Sequence, residues 1–91
     1  IKTIKKIGYS SYWLYPLLVE DKNNFISAMK SRGVQCSSVH KRNDSYSCVK
    51  KYREKLINMD YVENRMVCIP VGFWVKNKER DYIIKSIKKG W

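Results

Sequence analysis

Ser11-Tyr-Trp-Leu-Tyr-Pro-Leu-Leu-Val19, followed by Glu20-Asp-Lys-Asn-Asn-Phe-Ile-Ser-Ala-Met-Lys-Ser-Arg-Gly33, is the passage on which the fold turns. Its first half is almost continuously apolar and rich in aromatic rings, the pattern of a strand covered on both faces. Pro16 has no amide proton to give a neighbouring strand, so this strand is expected at a sheet edge or to carry a bulge there. Asp21 then reads as a helix N-cap, because its carboxylate can accept from the free amides of a first turn. The spacing predicts a helix to Arg32, with Phe25, Ile26 and Met29 on the inner face and Lys22 and Lys30 outside. Gly33 supplies a left-handed stop. Residues 34–39 read as a second strand, which completes a strand-helix-strand unit with short turns.

Further along, residues 47–56 have mixed polarity and suggest a helical turn or two. Asp60 with Glu63 has the spacing of a capping box opening a short helix to about Arg65. Met66-Val-Cys-Ile-Pro70 reads as a third strand closed by its proline, and Gly72-Phe73-Trp74 as a turn carrying two large rings. Asn77 is the expected cap of a last helix over 78–89, with Ile83, Ile84 and Ile87 as its apolar stripe and Gly90 as its stop. Upstream, residues 1–10 set Ile1, Ile4 and Ile7 among lysines, as a leading segment whose partner precedes the chain. The first residue is Ile1, so the chain reads as a piece of something longer or as a processed product. The order is β-α-β-(α)-α-β-α. It implies an α+β, two-layer domain over 11–91, with about three mainly antiparallel strands and helices on one face. Trp13, Trp74 and the seven tyrosines are expected mostly in the core or an interface.

Composition narrows the class. With 44% hydrophobic residues the chain can build a core, which argues against disorder. No apolar run reaches the ~20 residues of a membrane span, and no signal peptide is recognisable. Cys36, Cys48 and Cys68 are too dispersed for a zinc knuckle, and their odd number defeats a closed disulfide framework. They read as buried or incidental thiols in a reducing, cytoplasmic setting, with no metal implied. The net charge of +11 attracts anions in general, yet the lysines are dispersed and form no basic tail. A small nucleic-acid-binding module is the alternative reading, resting on Tyr46 and Tyr52 beside Lys50, Lys51 and Arg53. No recognised RNA- or DNA-binding signature accompanies them.

The densest chemistry follows the expected second strand: Val39-His-Lys-Arg-Asn-Asp44, which holds the only histidine. Strand ends hold side chains rigidly while leaving them exposed, so His40, Arg42, Asn43 and Asp44 are candidate site residues. A self-sufficient enzyme is not indicated. There is no nucleophile–base pair, no metal-ligand set, no glycine-rich phosphate loop and no pair of catalytic carboxylates.

These residues also carry a resemblance. Tyr12-Trp-Leu-Tyr-Pro-Leu-Leu-Val19, Met29-Lys-Ser-Arg-Gly-Val34, Val39-His-Lys-Arg-Asn-Asp44, Cys68-Ile-Pro-Val-Gly-Phe-Trp74 and Tyr82-Ile-Ile-Lys-Ser-Ile-Lys-Lys-Gly-Trp91 occur in an order similar to the C-terminal small domain of the DegT-type sugar aminotransferases. The resemblance spans about residues 9–91. It implies the small domain of a fold-type I pyridoxal-phosphate enzyme acting on a nucleotide-linked keto sugar with an amino donor. It further implies a homodimer, with the Schiff-base lysine and cofactor phosphate site in an N-terminal domain outside this chain. No catalytic or cofactor-binding residue is assigned within it. Under this resemblance Arg42 could grip a diphosphate or sugar oxygen with its planar fork, or instead pair with Asp44 or a carboxylate of the large domain. His40 could hydrogen-bond sugar or nucleotide, Asn43 and Asp44 could read hydroxyls or cap a turn, and Tyr46 could add a ring or hydroxyl. A related dehydratase, in which the lysine is replaced, is the alternative within the family.

Overall fold

The computed structural model describes residues 1–91. Three strands, β1 (Lys2–Thr3), β2 (Tyr15–Leu18) and β3 (Met66–Ile69), form one antiparallel sheet in the order β1-β2-β3. Three helices complete the α+β fold: α1 (Lys22–Ser31), α2 (Ile57–Glu63) and α3 (Asn77–Lys88). Two single turns of 3-10 helix, Asn43–Ser45 and Lys50–Tyr52, lie between α1 and α2.

The strand containing Pro16 is central, not at an edge, and the register shows how the proline is accommodated. The Val19 amide donates to Arg65 on the β3 side at 3.0 Å, so by alternation position 16 faces β1. There β1 stops: Thr3 pairs with Leu17, and no residue of β1 pairs with Pro16. The sheet is therefore three strands wide only where every amide can donate.

The expectation for α1 holds closely. Asp21 accepts from the Asn24 amide at 3.3 Å, with Asp21 itself in the left-handed region at φ 51°. At the other end Gly33 takes φ +75°, the Gly33 amide donates to Lys30 and the Val34 amide to Met29. This double closure satisfies the last carbonyls and carries Val34 into the core.

Past Val34 the expected second strand is not formed. Only Ser37 pairs, exchanging two hydrogen bonds with Cys68 on the free edge of β3. The observed order is consequently β-β-α-α-β-α. Lys2 and Thr3, in the leading segment, supply the extra strand.

Phe25 and Met29 of α1, Leu17 and Val19 from β2 and its end, Val67 of β3 and Ile83 of α3 make one core with Val34 and Cys36. Ile87 packs against it half-buried, but Ile84 is 43% exposed, so the α3 stripe is narrower than its three isoleucines suggested. Ser86 takes the second buried place on α3. The helix starts one residue earlier than expected, with Lys76 as its cap and the Lys76 amide donating to Glu79 at 3.1 Å. Arg32 ties the two helices by donating to the carbonyls of Ser86 and Gly90, each at 2.7 Å. Trp91 closes the layer, its ring edge-on to Phe25 at 5.0 Å and its indole N–H donating to Glu20.

The expectation that the other aromatics fill the core is corrected. Trp13, Trp74 and all seven tyrosines are exposed, Trp13 by 78% and Tyr9 fully. Gly72 has a local reason: a Cβ there would overlap the six-membered ring of Trp74.

Candidate functional site

A cavity of about 930 Å³ opens beside the end of β3, walled by the 38–44 segment and by α2. His40, Arg42, Asn43 and Asp44 all line it, so four of the five candidate side chains come together. Tyr46 does not line the cavity; its ring lies 5.0 Å from the Lys41 ammonium.

Arg42 organises this end of the molecule. It is 6% exposed, and every nitrogen of its guanidinium is engaged. Nε donates to Asp44, Nη1 to Asp60 and Nη2 to the Glu54 carbonyl. The Glu63 carboxylate stands 3.7 Å from Nη1. Ser45 in turn donates to the Arg42 carbonyl. Of the two expectations for Arg42, the geometry shows the pairing with Asp44, widened to a hub that joins the loop to α2. The hydrogen bonds to Asp44 and then Asp60 hold its pKa above the ordinary arginine value, and the same bond holds the Asp44 carboxyl below the usual range.

The hub also explains α2. Asp60 and Glu63 are not a capping box; they lie inside the helix and turn their carboxylates to Arg42. The helix begins at Ile57, with Leu56 as a cap that makes no side-chain hydrogen bond. Met59 and Val62 give the cavity an apolar wall that continues onto Met66 of β3.

Lys22 is the residue that sequence reasoning missed. It was expected on the outer face of α1, yet it lines the cavity and its ammonium donates to the Glu63 carbonyl at 2.6 Å. No local pattern could have announced this, since the partners are 41 residues apart. With Asp44 and Glu63 turned toward Arg42, the cations left to face the cavity are Lys22 and Lys41, beside exposed His40 and Asn43. That set suits an anionic, hydroxyl-rich ligand.

The cysteines offer no reactive thiol in the interior. Burial first, and the neighbouring Cys68, push the Cys36 thiol up to about 11, and burial raises Cys68 as well. Only Cys48 is exposed. No helix is long and apolar enough to cross a membrane.

Comparison with solved structures places this geometry. The whole chain superposes on the sugar aminotransferase CalS13 from Micromonospora echinospora with a TM-score of 0.85 and 34% identity, over 26% of that chain. It is also similar to AtS13 from Actinomadura melliaura, with a TM-score of 0.83 and 36% identity, covering 89% of this chain and 22% of that one. The fold is that of a segment of an aminotransferase. The chain spans about a quarter of the length of these solved chains. No family model and no curated protein matches the sequence.

Pyridoxal phosphate, which the likeness implies, does not fit the residues of this segment. The half-buried lysine of the cavity, Lys22, is tied to a main-chain carbonyl, and the carboxylates that could pair a pyridine nitrogen are held by Arg42.

Proposed function

We propose that this chain is the substrate-contacting, cleft-closing portion of a pyridoxal-phosphate aminotransferase that acts on a nucleotide-linked keto sugar. The observation that carries the reading is the 34% identity to a sugar aminotransferase over the full length of the chain, at a TM-score of 0.85. That neighbour is a sugar aminotransferase, which favours amino transfer over dehydration. In this reading the Schiff-base lysine and the phosphate site belong to polypeptide beyond the matched quarter.

Each cavity residue then has a task. Lys22 and Lys41 draw in the phosphates by charge, while His40 and Asn43 hydrogen-bond sugar or nucleotide groups. Tyr46 stands outside the cavity, with the Lys41 ammonium 5.0 Å from its ring. Arg42 and Asp44 hold the loop in the shape that presents these groups, which spares ordering entropy when ligand arrives.

The test uses the longer polypeptide that carries this chain. Borohydride should trap pyridoxal phosphate on a lysine outside residues 1–91, and the protein should transfer an amino group to a nucleotide-linked keto sugar. Replacing His40 or Asn43 with Ala should raise KM about ten-fold, the size of one lost hydrogen bond to a charged or polar ligand, with cofactor absorbance unchanged. Unchanged KM in both variants would remove the cavity from substrate binding. Cofactor bound without a trapped lysine would favour the dehydratase.

A further inference from the structure

The loop that brings His40, Lys41 and Asn43 to the cavity is hydrogen-bonded to α2 through a single side chain. From residues 40–46 only Arg42 reaches α2 or the segment leading into it, through Nη1 to Asp60 and through Nη2 to the Glu54 carbonyl at 2.8 Å. The other hydrogen bonds of this stretch stay within residues 42–49: Arg42 to Asp44, Ser45 to the Arg42 carbonyl, the Tyr46 amide to Asn43 and the Val49 amide to Tyr46. They shape the turn and leave its placement against α2 to Arg42. The Glu63 carboxylate stands off at 3.7 Å, so Asp60 is the only side chain outside the loop that hydrogen-bonds it.

The setting of Asp60 suits it to that task. It lies in the first turn of α2, where its amide donates to the Leu56 carbonyl at 2.8 Å, so the helix fixes where the carboxylate starts from. A planar guanidinium held at three points tolerates little rotation, and an acceptor that fixes this fork therefore fixes the loop that carries it. Asp60 itself does not line the cavity. Its negative charge, taken alone, opposes an anionic ligand nearby. Charge and positioning thus act on binding with opposite signs, which makes them separable.

We propose that Asp60 is a positioning residue for substrate: through Arg42 it holds the 40–44 loop where His40, Lys41 and Asn43 meet the ligand. A carboxylate that touches no part of the substrate thereby strengthens the binding of an anion. The inference rests on the reading of the cavity as the site of the nucleotide-linked sugar.

The experiment is steady-state kinetics on the longer polypeptide with its cofactor bound, using the uridine- or thymidine-diphosphate keto sugar that the parent turns over. Asp60→Ala should raise KM about five-fold, with kcat within about two-fold and cofactor absorbance unchanged. Asp60→Asn keeps an acceptor for Nη1 and should hold KM within about two-fold of the parent. Arg42→Met should raise KM at least as much as Asp60→Ala, and adding Asp60→Ala to it should change nothing further, since the link is already gone. If Asp60→Ala fails to fold, Asp60→Ser takes its place with the same expectation, because its shorter side chain admits water beside Nη1 without reaching it. A lowered KM in Asp60→Ala would overturn the proposal, as the carboxylate would then only repel the ligand or withhold Arg42 from it. An increase that persists in the Arg42→Met background would overturn it as well. So would an unchanged KM in Asp60→Ala beside a raised one in His40→Ala, which leaves the cavity reading standing. Were KM unmoved in both, or no such sugar turned over, the cavity reading itself would fall and the role of Asp60 with it.

Discussion

The two ends of this small sheet are held by different forces. On the α1–α3 side Phe25, Met29, Val19 and Val67 are at most 1% exposed, and burial of apolar surface holds the layer together. On the α2 side no residue of the helix is fully buried, and the loop is held by one guanidinium shared among Asp44, Asp60 and the Glu54 carbonyl. Apolar packing is tolerant in direction but strict in volume, whereas a forked cation is strict in direction. The difference teaches why the cavity sits where it does: an apolar core can be shielded from water, while a polar hub can hold a loop in place and still leave its neighbours wet.

That contrast can be broken most forcefully in the core. Phe25→Ala should cost about 3–5 kcal/mol in chemical denaturation, the usual loss for a buried ring. A cost below about 1 kcal/mol would mean that the α1 face is not the centre of the fold. Ile83→Ala should cost about 2–5 kcal/mol, while Ile84→Ala, one position on and 43% exposed, should stay within about 0.5 kcal/mol. Equal costs would erase the division of α3 into a packed and an open face.

The polar end should fail locally. Arg42→Met should speed amide exchange over residues 43–63 on the order of ten-fold, leaving that of α1 and α3 nearly unchanged. Uniform acceleration through the chain would show one cooperative unit with no separable loop. Acid should act at the same place. Because Arg42 lowers the Asp44 pKa, the stabilisation is present above the unfolded value near pH 4 and is lost as pH falls through the lowered one. The loop signals in NMR spectra should therefore broaden below about pH 4 before those of Phe25, and Asp44→Asn should remove that component of the pH dependence. A modest effect is expected at the start of α3, where Glu79→Ala deletes the bond to the Lys76 amide and should cost up to about 1 kcal/mol.

Local signals made the core end readable. Asp21 and Gly33 bracket α1 by chemistry confined to their own turns, and the apolar run Met66–Ile69 forms the strand its composition indicates. Where the sequence misled, a distant partner had overridden a local pattern. Asp60 and Glu63 have capping spacing, but Arg42, 18 residues before Asp60, claims both carboxylates. Residues 34–39 have strand composition, yet only Ser37 finds a bonding edge. The cluster at 40–44 was legible as chemistry, since His, Arg, Asn and Asp rarely gather without cause. Lys22 and the α2 wall were not, because only the folded chain brings them to the same cavity.

Pro16 has a consequence for how this sheet meets other chains. Beyond Thr3 the β1 side of β2 is open, and an open backbone edge is a template for strand addition and fibril growth. At that opening the chain presents a pyrrolidine ring where an extending strand would need an amide proton. The residue that shortens β1 thus also guards the gap it leaves, and replacing it would exchange a short strand for an aggregation-prone one.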